Sequence, residues 1–510
     1  MPTNVPRSTR ARRPAPALLQ RALDECAAGA RALRDGRAEK ALQRYVAGVA
    51  LAPDSADVAA LHGGALRTVG RLHEAQRELI RAIALDPKRA DSYTQLAHAF
   101  MLAKDHAQAA TAFLAAATLL ETRASAWRDA AEALRLAHRL TDGLALARRA
   151  AALAPDDPAI ANSLALLLHR NGHIDEALAL CDRVRALAQD DDRTLALTHA
   201  TLLRVVERYG EGWALHERRL ELPELLRRPF PPDTPRWDGT PLAGRHILVL
   251  AEQGLGDQVQ FSRWCVTLRE HGAGRITLQC APPLLRLMET LRGIDRVIPT
   301  GEPTPPHDVH VDIMSLPHLV ASGSDMRAHA VPYLAAPVVN AALAARLAAR
   351  RTGAMRIGFV WAGTPRHPED HSRSAPLDAL LPALLRPDVE LVLLQQGPAR
   401  TQLEAVDDAV RRTIVDVAES CHDMADTAQA IACCDVVLTV DTSVAHVAGA
   451  LGVPTWVMCA FPAEWRWGRD RRDSLFYPSV TVLRQPTHGD WGAIAAGITS
   501  AIDAYPDPAP

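Results

Sequence analysis

The chain contains no run of eighteen apolar residues in its 510, so a membrane-spanning helix is not expected. Its Arg/Pro-rich start, MPTNVPRSTRARRPAPALLQR, lacks the apolar stretch of a secretory leader and reads as a disordered tail over 1–20. Eight cysteines are scattered, with only Cys433 and Cys434 adjacent and no CxxC pair. Neither a zinc site nor a disulfide framework is indicated, and a reducing cytoplasm is the expected location. Charge is balanced as well: a net −2 and a pI near 6.9 give no basic surplus to draw nucleic acid or an anionic membrane. Aromatic residues make up only 4% of the chain, and seven of the nine tryptophans lie beyond residue 230, where the composition changes.

What is present is a period. The strings LAPD, LDPK, LLET, LAPD and LAQD begin at Leu51, Leu85, Leu119, Leu153 and Leu187, a constant step of 34 residues. Small residues keep the same phase, with Gly29, Gly63, Ala97, Ala131 and Ala165 in one column and Ala41, Ala75, Ala109, Gly143 and Ala177 in another. Small side chains at fixed phase let two helices cross closely, and Gly36, Gly70 and Gly172 stand where the first helix of a pair should stop. The spacing predicts an α-solenoid over 21–222, about five helix-turn-helix units plus a degenerate pair. Period, small positions and terminal proline together resemble tetratricopeptide repeats, whose concave face suits an extended peptide or a partner protein. Asparagine is scarce here, so there is no ladder of the kind that grips peptide backbone in the distantly similar O-GlcNAc transferases. The acidic triplet Asp190-Asp191-Asp192 resembles a metal-binding DxD, but in a repeat turn a solvated acidic loop is the plainer reading.

A linker over 223–245 follows, stiffened by Pro223, Pro229, Pro231, Pro232, Pro235 and Pro241. Strand-like runs then recur at 246–251, 275–280, 296–299, 308–314, 356–361, 389–395, 435–440, 455–459 and 480–483. Their alternation with helical stretches predicts parallel sheets. The expected fold class is α + α/β, with Rossmann-like halves at 246–337 and 354–490 divided by an Ala-rich helical segment near 338–352. An amphipathic helix in the tail, 491–510, is expected to cross back and brace the first half.

Two strand-to-helix turns carry the chemistry. DVVLTVDTSVAHVAGALGVPTW, Asp435 to Trp456, is a β-branched run ending in a polar turn, Asp441-Thr442-Ser443, followed by small and apolar residues at helical spacing up to Gly452. Thr442 and Ser443 are N-cap residue types, and beyond them the first-turn N–H groups and the macrodipole form a phosphate site, with His446 one turn in as a further donor. A plain capped helix is the simpler alternative. The second turn, Glu252-Gln-Gly254-Leu-Gly256-Asp257, follows the strand at 246–251 and lets backbone approach a ligand, although GxG without a third glycine is a weak dinucleotide fingerprint. Two such turns in one chain point to a ligand held between two halves.

The strings RWDGTPLAGRHILVLAEQGLGDQVQFSRW, SLPHL, VPYL, RIGFVWAGTPRH with RSAPL, DTAQAI, VLTVDTSVAHVAGALGVPTW and AEWRWGRDRRDSLFYPSV with RQPTHGDW resemble a family of bacterial proteins. These are tetratricopeptide-repeat proteins with a C-terminal GT-B domain related to glycosyltransferase family 9, the heptosyltransferases. The resemblance covers nearly all of residues 20–495. It implies a GT-B fold and a nucleotide-sugar substrate, with Asp257 of the Gly-Asp pair as general base. It also implies a donor-diphosphate site at Asp441, Thr442, Ser443 and His446, faced by Arg373. The loop departs from the family in reading Gly363-Thr364-Pro365 for Gly-Asn-Pro and Glu369-Asp370-His371 for Asn-Asp-Arg.

The function so implied is transfer of a hexosyl or heptosyl group, with inversion and without metal or other cofactor, to a protein or glycan acceptor recruited by the repeats. Such transfer needs a base for the acceptor proton and stabilisation of the leaving diphosphate. Apolar neighbours such as Leu255 and Phe261 are expected to raise the Asp257 carboxyl toward the working range, though capping its helix is the structural alternative. Glu252 and His310 are reserve bases. Gly254 and Gly256 line the donor cleft, and Gln395, with Gln396, ends a strand where it reaches the nucleotide. Trp465-Arg466-Trp467 offers either stacking and cationic contact at the cleft or plain packing. Asp426-Thr427 caps a helix, and His367 and His371 are too isolated for a metal. The alternatives of another class are a repeat scaffold whose cleft has lost turnover and a nucleotide-sugar 2-epimerase.

Overall fold

The computed structural model describes residues 16–187, 192–222, 233–320, 331–337, 340–367, 369–462 and 464–505. The tail at 1–15, Asp190 and Asp191 of the acidic triplet, and Pro223, Pro229, Pro231 and Pro232 of the linker lie outside them. The chain divides into two compact units, 1–195 and 196–510.

The first unit is a stack of helical hairpins. First helices are Pro16–Arg34, Ala56–Thr68, Ala90–Leu102, Ala124–Leu136 and Pro158–Arg170; second helices are Ala38–Leu51, Leu72–Leu85, His106–Leu119, Leu140–Leu153 and Ile174–Leu187. This is the tetratricopeptide-repeat arrangement, and the small columns are its crossing points. Ala41, Ala75, Ala97, Ala109, Ala131, Ala165 and Ala177 are fully buried. A Cβ on Gly63 would come within 2.6 Å of the Leu79 side chain, so only glycine allows that approach. Helix starts are capped where the residue type permits: Ser55, Asp105 and Asp157 each accept first-turn N–H groups, and Pro158 occupies the first turn behind Asp157. The turn between paired helices needs one left-handed residue. Gly36, Gly70 and Gly172 supply it, and Lys104 (φ 61) and His138 (φ 61) adopt it at the same phase without glycine's freedom.

The second unit begins earlier than the periodicity implies. Arg193–Val205 and Tyr209–His216, expected at the end of the solenoid, fall largely or wholly within 196–510. Asp192, the last of the acidic triplet, accepts the Leu195 N–H at 2.9 Å and so serves the start of its helix. The aromatic rings of this segment are buried among later ones, with Trp213 edge-on to Phe261 and Trp465 and Tyr209 edge-on to Phe476.

Two parallel sheets follow. The first contains β1 (His246–Leu250), β2 (Arg275–Cys280), β3 (Arg296–Pro299) and β4 (Val309–Asp312) in the order β3-β2-β1-β4. The second contains β5 (Met355–Val360), β6 (Val389–Leu393), β7 (Val415–Asp416), β8 (Val436–Val440), β9 (Thr455–Cys459) and β10 (Val480–Arg484) in the order β10-β9-β8-β5-β6-β7. Counted from its first strand the second sheet has the doubly wound order of a dinucleotide-binding fold, and the first is the same order cut short. β7, only two residues long, has no apolar run to announce it. The Ala-rich helix is Ala341–Ala348. The tail helix Trp491–Asp503 does not brace the first half. Trp491, Ile494, Ile498 and Ile502 belong to the core of the second sheet, with Leu380, Leu384 and Met458.

Candidate functional site

In a doubly wound sheet, ligands bind beyond the carboxyl ends of neighbouring strands whose connections leave in opposite directions. In the second sheet those strands are β5 and β8. The loop after β5 carries Arg373, which donates to the Asp441 carbonyl at 3.1 Å and lies 3.4 Å from Asp370. Arg373 and the Asp441 turn therefore come together. Thr442 is the N-cap of helix Ser443–Leu451, with extended backbone and no side-chain cap, its hydroxyl lying 3.1 Å from that of Thr439. Among the described residues no side chain caps this N-terminus, where the macrodipole favours an anion.

The turn after β1 meets it. Gly254 is the N-cap of helix Leu255–Ser262, and its N–H donates to Asp257 Oδ2 at 3.0 Å, the return half of a capping box. A Cβ on Gly256 would come within 2.6 Å of His446 Cδ2 and 3.5 Å of Ser443 Cα. The two glycine- and serine-bearing turns thus touch across the two sheets. His446 is buried, with Nδ1 3.0 Å from the Tyr477 hydroxyl, its ring stacked on Trp467 and Nε2 4.0 Å from Asp441 Oδ1. Burial, with Arg466 and Arg263 adding to it, holds its pKa well below the usual imidazole range, so the ring is neutral.

Several expectations are corrected by the surroundings. Asp257 has polar partners on both oxygens: its Oδ1 accepts from Arg466 and its Oδ2 from the Gly254 N–H. Glu252 is committed to a buried ion pair. It is buried, takes Arg219 on both oxygens at 3.0 and 2.8 Å, and accepts the Met314 N–H at 3.2 Å. Burial raises its carboxyl against the opposing pull of Arg219. His310 lies on β4, an edge of the first sheet, with Nδ1 3.3 Å from the Thr234 hydroxyl, and the turns do not gather it in. Gln395 is spent internally. Its Oε1 accepts Trp361 and Ala362 N–H at 3.0 and 2.9 Å, and its Nε2 donates to the Ala362 and Gln396 carbonyls. Asp423, rather than Asp426, is the N-cap of helix Met424–Ile431, while Asp426 pairs with Arg286 of the first half.

Trp465 and Trp467 are packing residues, 4% and 1% exposed, but Arg466 between them occupies the centre of the site. Besides Asp257 it donates to Glu464 at 2.6 Å and to the Gln260 side-chain carbonyl at 3.1 Å, and it lies 4.2 Å over the Trp465 ring. Glu464, which no pattern marks, is raised by burial while Arg466 pulls it down. Arg204 adds a cation above Trp213 and Trp465, lowered to about 9 by burial and by Arg466. Among the described residues no group of three or more His, Cys, Asp or Glu is arranged to hold a metal, and no helix is long and apolar enough to cross a membrane.

These features define a helical-repeat protein with two parallel-sheet halves and an anion-suited helix start where they meet. No family model matches the chain. The chain is similar to Protein FlbA of Caulobacter vibrioides, at 25% identity over 334 residues, covering 60% of this chain and 54% of that protein. It thus spans about half the length of this curated relative. Among solved structures it is similar to MamA from Desulfovibrio magneticus (19% identity, TM-score 0.31, 34% of this chain and 97% of that one). It is also similar to Pseudomonas aeruginosa pilF (18%, 0.35, 41% and 94%) and to YrrB, described as a TPR protein with an unusual peptide-binding site (16%, 0.30, 35% and 92%).

Proposed function

We propose that the chain is a glycosyltransferase of GT-B architecture, related to family 9, that uses a nucleotide sugar and modifies a protein or glycan recruited by the repeats. The observation that carries this reading is the close approach of Gly256 to His446 and Ser443, which packs the start of the helix bearing Asp257 against an uncapped helix start in the other half. In the proposed reaction Asp257 takes the proton of an acceptor hydroxyl, whose oxygen bonds to the anomeric carbon as the bond from that carbon to the diphosphate breaks. The leaving charge falls on the Ser443 helix start and Arg373, each charge-assisted bond contributing about 1.5–3 kcal/mol. Neutral His446 can donate without bringing charge of its own. These groups stabilise the leaving diphosphate without calling on a metal.

A second reading, a peptide-binding repeat scaffold without turnover, is favoured by the engagement of both Asp257 oxygens. The full chain should be tested by calorimetry and hydrolysis assay against a panel of nucleoside diphosphates and nucleotide sugars. We expect one nucleoside diphosphate to bind, and slow hydrolysis of its sugar conjugate to fall about 10²- to 10⁴-fold in Asp257→Asn. Binding with no turnover in any arm leaves the scaffold. A product epimerised at the sugar's C2 makes the chain an epimerase, and binding of nothing in the panel overturns the glycosyltransferase reading.

A further inference from the structure

Arg466 has three acceptors, Asp257 and Gln260 from the first half and Glu464 beside it, and its side chain is still 17% exposed. It is the second half's reply to the candidate base. The same cation holds the residue next to Gly256, which packs against Ser443, and its neighbour Trp467 stacks on His446, so it lies by the Ser443 helix start as well as Asp257. Two buried donors near it lack an acceptor among the described residues. Gln260 is fully buried, and with Oε1 held by Arg466 its Nε2 has nothing to donate to; Trp467, stacked on His446, has an unpaired Nε1–H. Unsatisfied buried donors beside a guanidinium and a helix N-terminus are what a ligand bearing several anionic oxygens would complete.

We propose that Arg466 is a shared residue, holding Asp257 when the site is free of donor and turning to the diphosphate when a nucleoside diphosphate occupies the Ser443 helix start. This rests on the glycosyltransferase reading only in requiring that a nucleoside diphosphate binds. A diphosphate offers a guanidinium more charge than one carboxylate and a bidentate pair of oxygens, where Asp257 gives it only Oδ1, and this favours the exchange. Its consequence is order. Asp257 is occupied until the donor arrives and is released when the acceptor hydroxyl can be used, which guards against acting on an acceptor in the absence of donor.

Competition for one guanidinium makes an unusual prediction: removing the candidate base should improve diphosphate binding. Calorimetry of the full chain with the nucleoside diphosphate that binds wild type is the test, with thermal unfolding as the check on folding. Asp257→Asn is expected to tighten the diphosphate about tenfold and Arg466→Gln to loosen it at least tenfold. The double variant should match Arg466→Gln, because the gain from Asp257→Asn passes through Arg466. Arg466→Lys, which keeps the cation, serves if the glutamine variant fails to fold and should lie between. If wild type binds while Asp257→Asn binds equally or more weakly, the sharing proposal is overturned and Arg466 is structural. If wild type binds no nucleoside diphosphate, the glycosyltransferase reading falls and this proposal falls with it.

Discussion

Arg148 meets Glu176 in the repeats with both side chains about half exposed, whereas Arg219 meets Glu252 in the α/β unit with side chains 2% and 0% exposed. The contrast runs through the molecule. The repeats bury alanine and glycine and leave many of their ion pairs at the surface, such as Arg44–Glu25, Arg139–Asp142 and Arg183–Asp156. The α/β unit places Arg219, Arg263, Arg356 and Arg466 inside, each held by particular partners. A repeated interface spreads its stability over copies of one contact, while a buried pair concentrates it in one place. Arg219→Ala should therefore do more damage than any surface ion-pair deletion in the repeats. It strands Glu252 beside Glu217 and the Ser315 hydroxyl, at a cost of about 3–5 kcal/mol. Arg148→Ala should cost about 0–1 kcal/mol. Denaturant unfolding of both variants checks this, and equal losses would erase the distinction between the units.

The same contrast explains what could be read in advance. Repeats announce themselves because a contact such as Gly63 against Leu79 recurs at a step of 34, so the pattern records the packing. The two turns were legible for a local reason: a Gly-bearing or Asp-Thr-Ser turn between a strand and a helix is set by its own backbone needs. Partners distant in sequence left no such trace. Arg466 meets Asp257 across 209 residues, and the only hint was a cation between two tryptophans. Gln395 misled because a polar residue at a strand end looks poised for a ligand, while the amides of Trp361 and Ala362 were already its partners. Amphipathicity told that the Trp491 helix buries a face and could not tell which sheet receives it.

A pH experiment sharpens the comparison further. Burial holds His446 and His216 well below the ordinary imidazole value of 6.5, so the folded α/β unit carries them neutral. The unfolded chain binds protons there once pH drops below about 6.5, and the folded unit does not follow. Stability from these groups is complete above the unfolded value and is lost as pH falls through it, by about 1.4 kcal/mol per pH unit for each proton. His446→Gln should flatten the loss between about pH 6.5 and 5 by about one proton's worth, whatever it does to stability at pH 7.5. His62 in the repeats is also lowered by burial, but Glu78 pulls it upward, so the acid sensitivity should be weaker on that side. An unchanged slope in His446→Gln, read by urea unfolding across the pH series, would show that the ring is protonated in the folded unit.

The smallest expected effect tests whether repetition is as forgiving as it looks. Gly70 (φ +80) and Lys104 (φ 61) occupy the same turn of consecutive repeats, both in the left-handed region. A side chain there carries a steric cost of about 1–2 kcal/mol, partly offset because glycine would gain more freedom in the unfolded chain. Lys104→Gly should therefore stabilise the repeat unit, by about 0.5–1 kcal/mol, and Gly70→Ala should destabilise it by about 1 kcal/mol, although a Cβ on Gly70 would meet nothing within 4 Å. The signs matter more than the sizes, since a stack governed by packing alone would leave both exposed turns near zero. Calorimetric unfolding of the two variants and their combination would decide: opposite signs that add in the double variant identify the turn as a local, repeat-by-repeat contribution, and matching signs would mean that the turns are set by something beyond their own backbone.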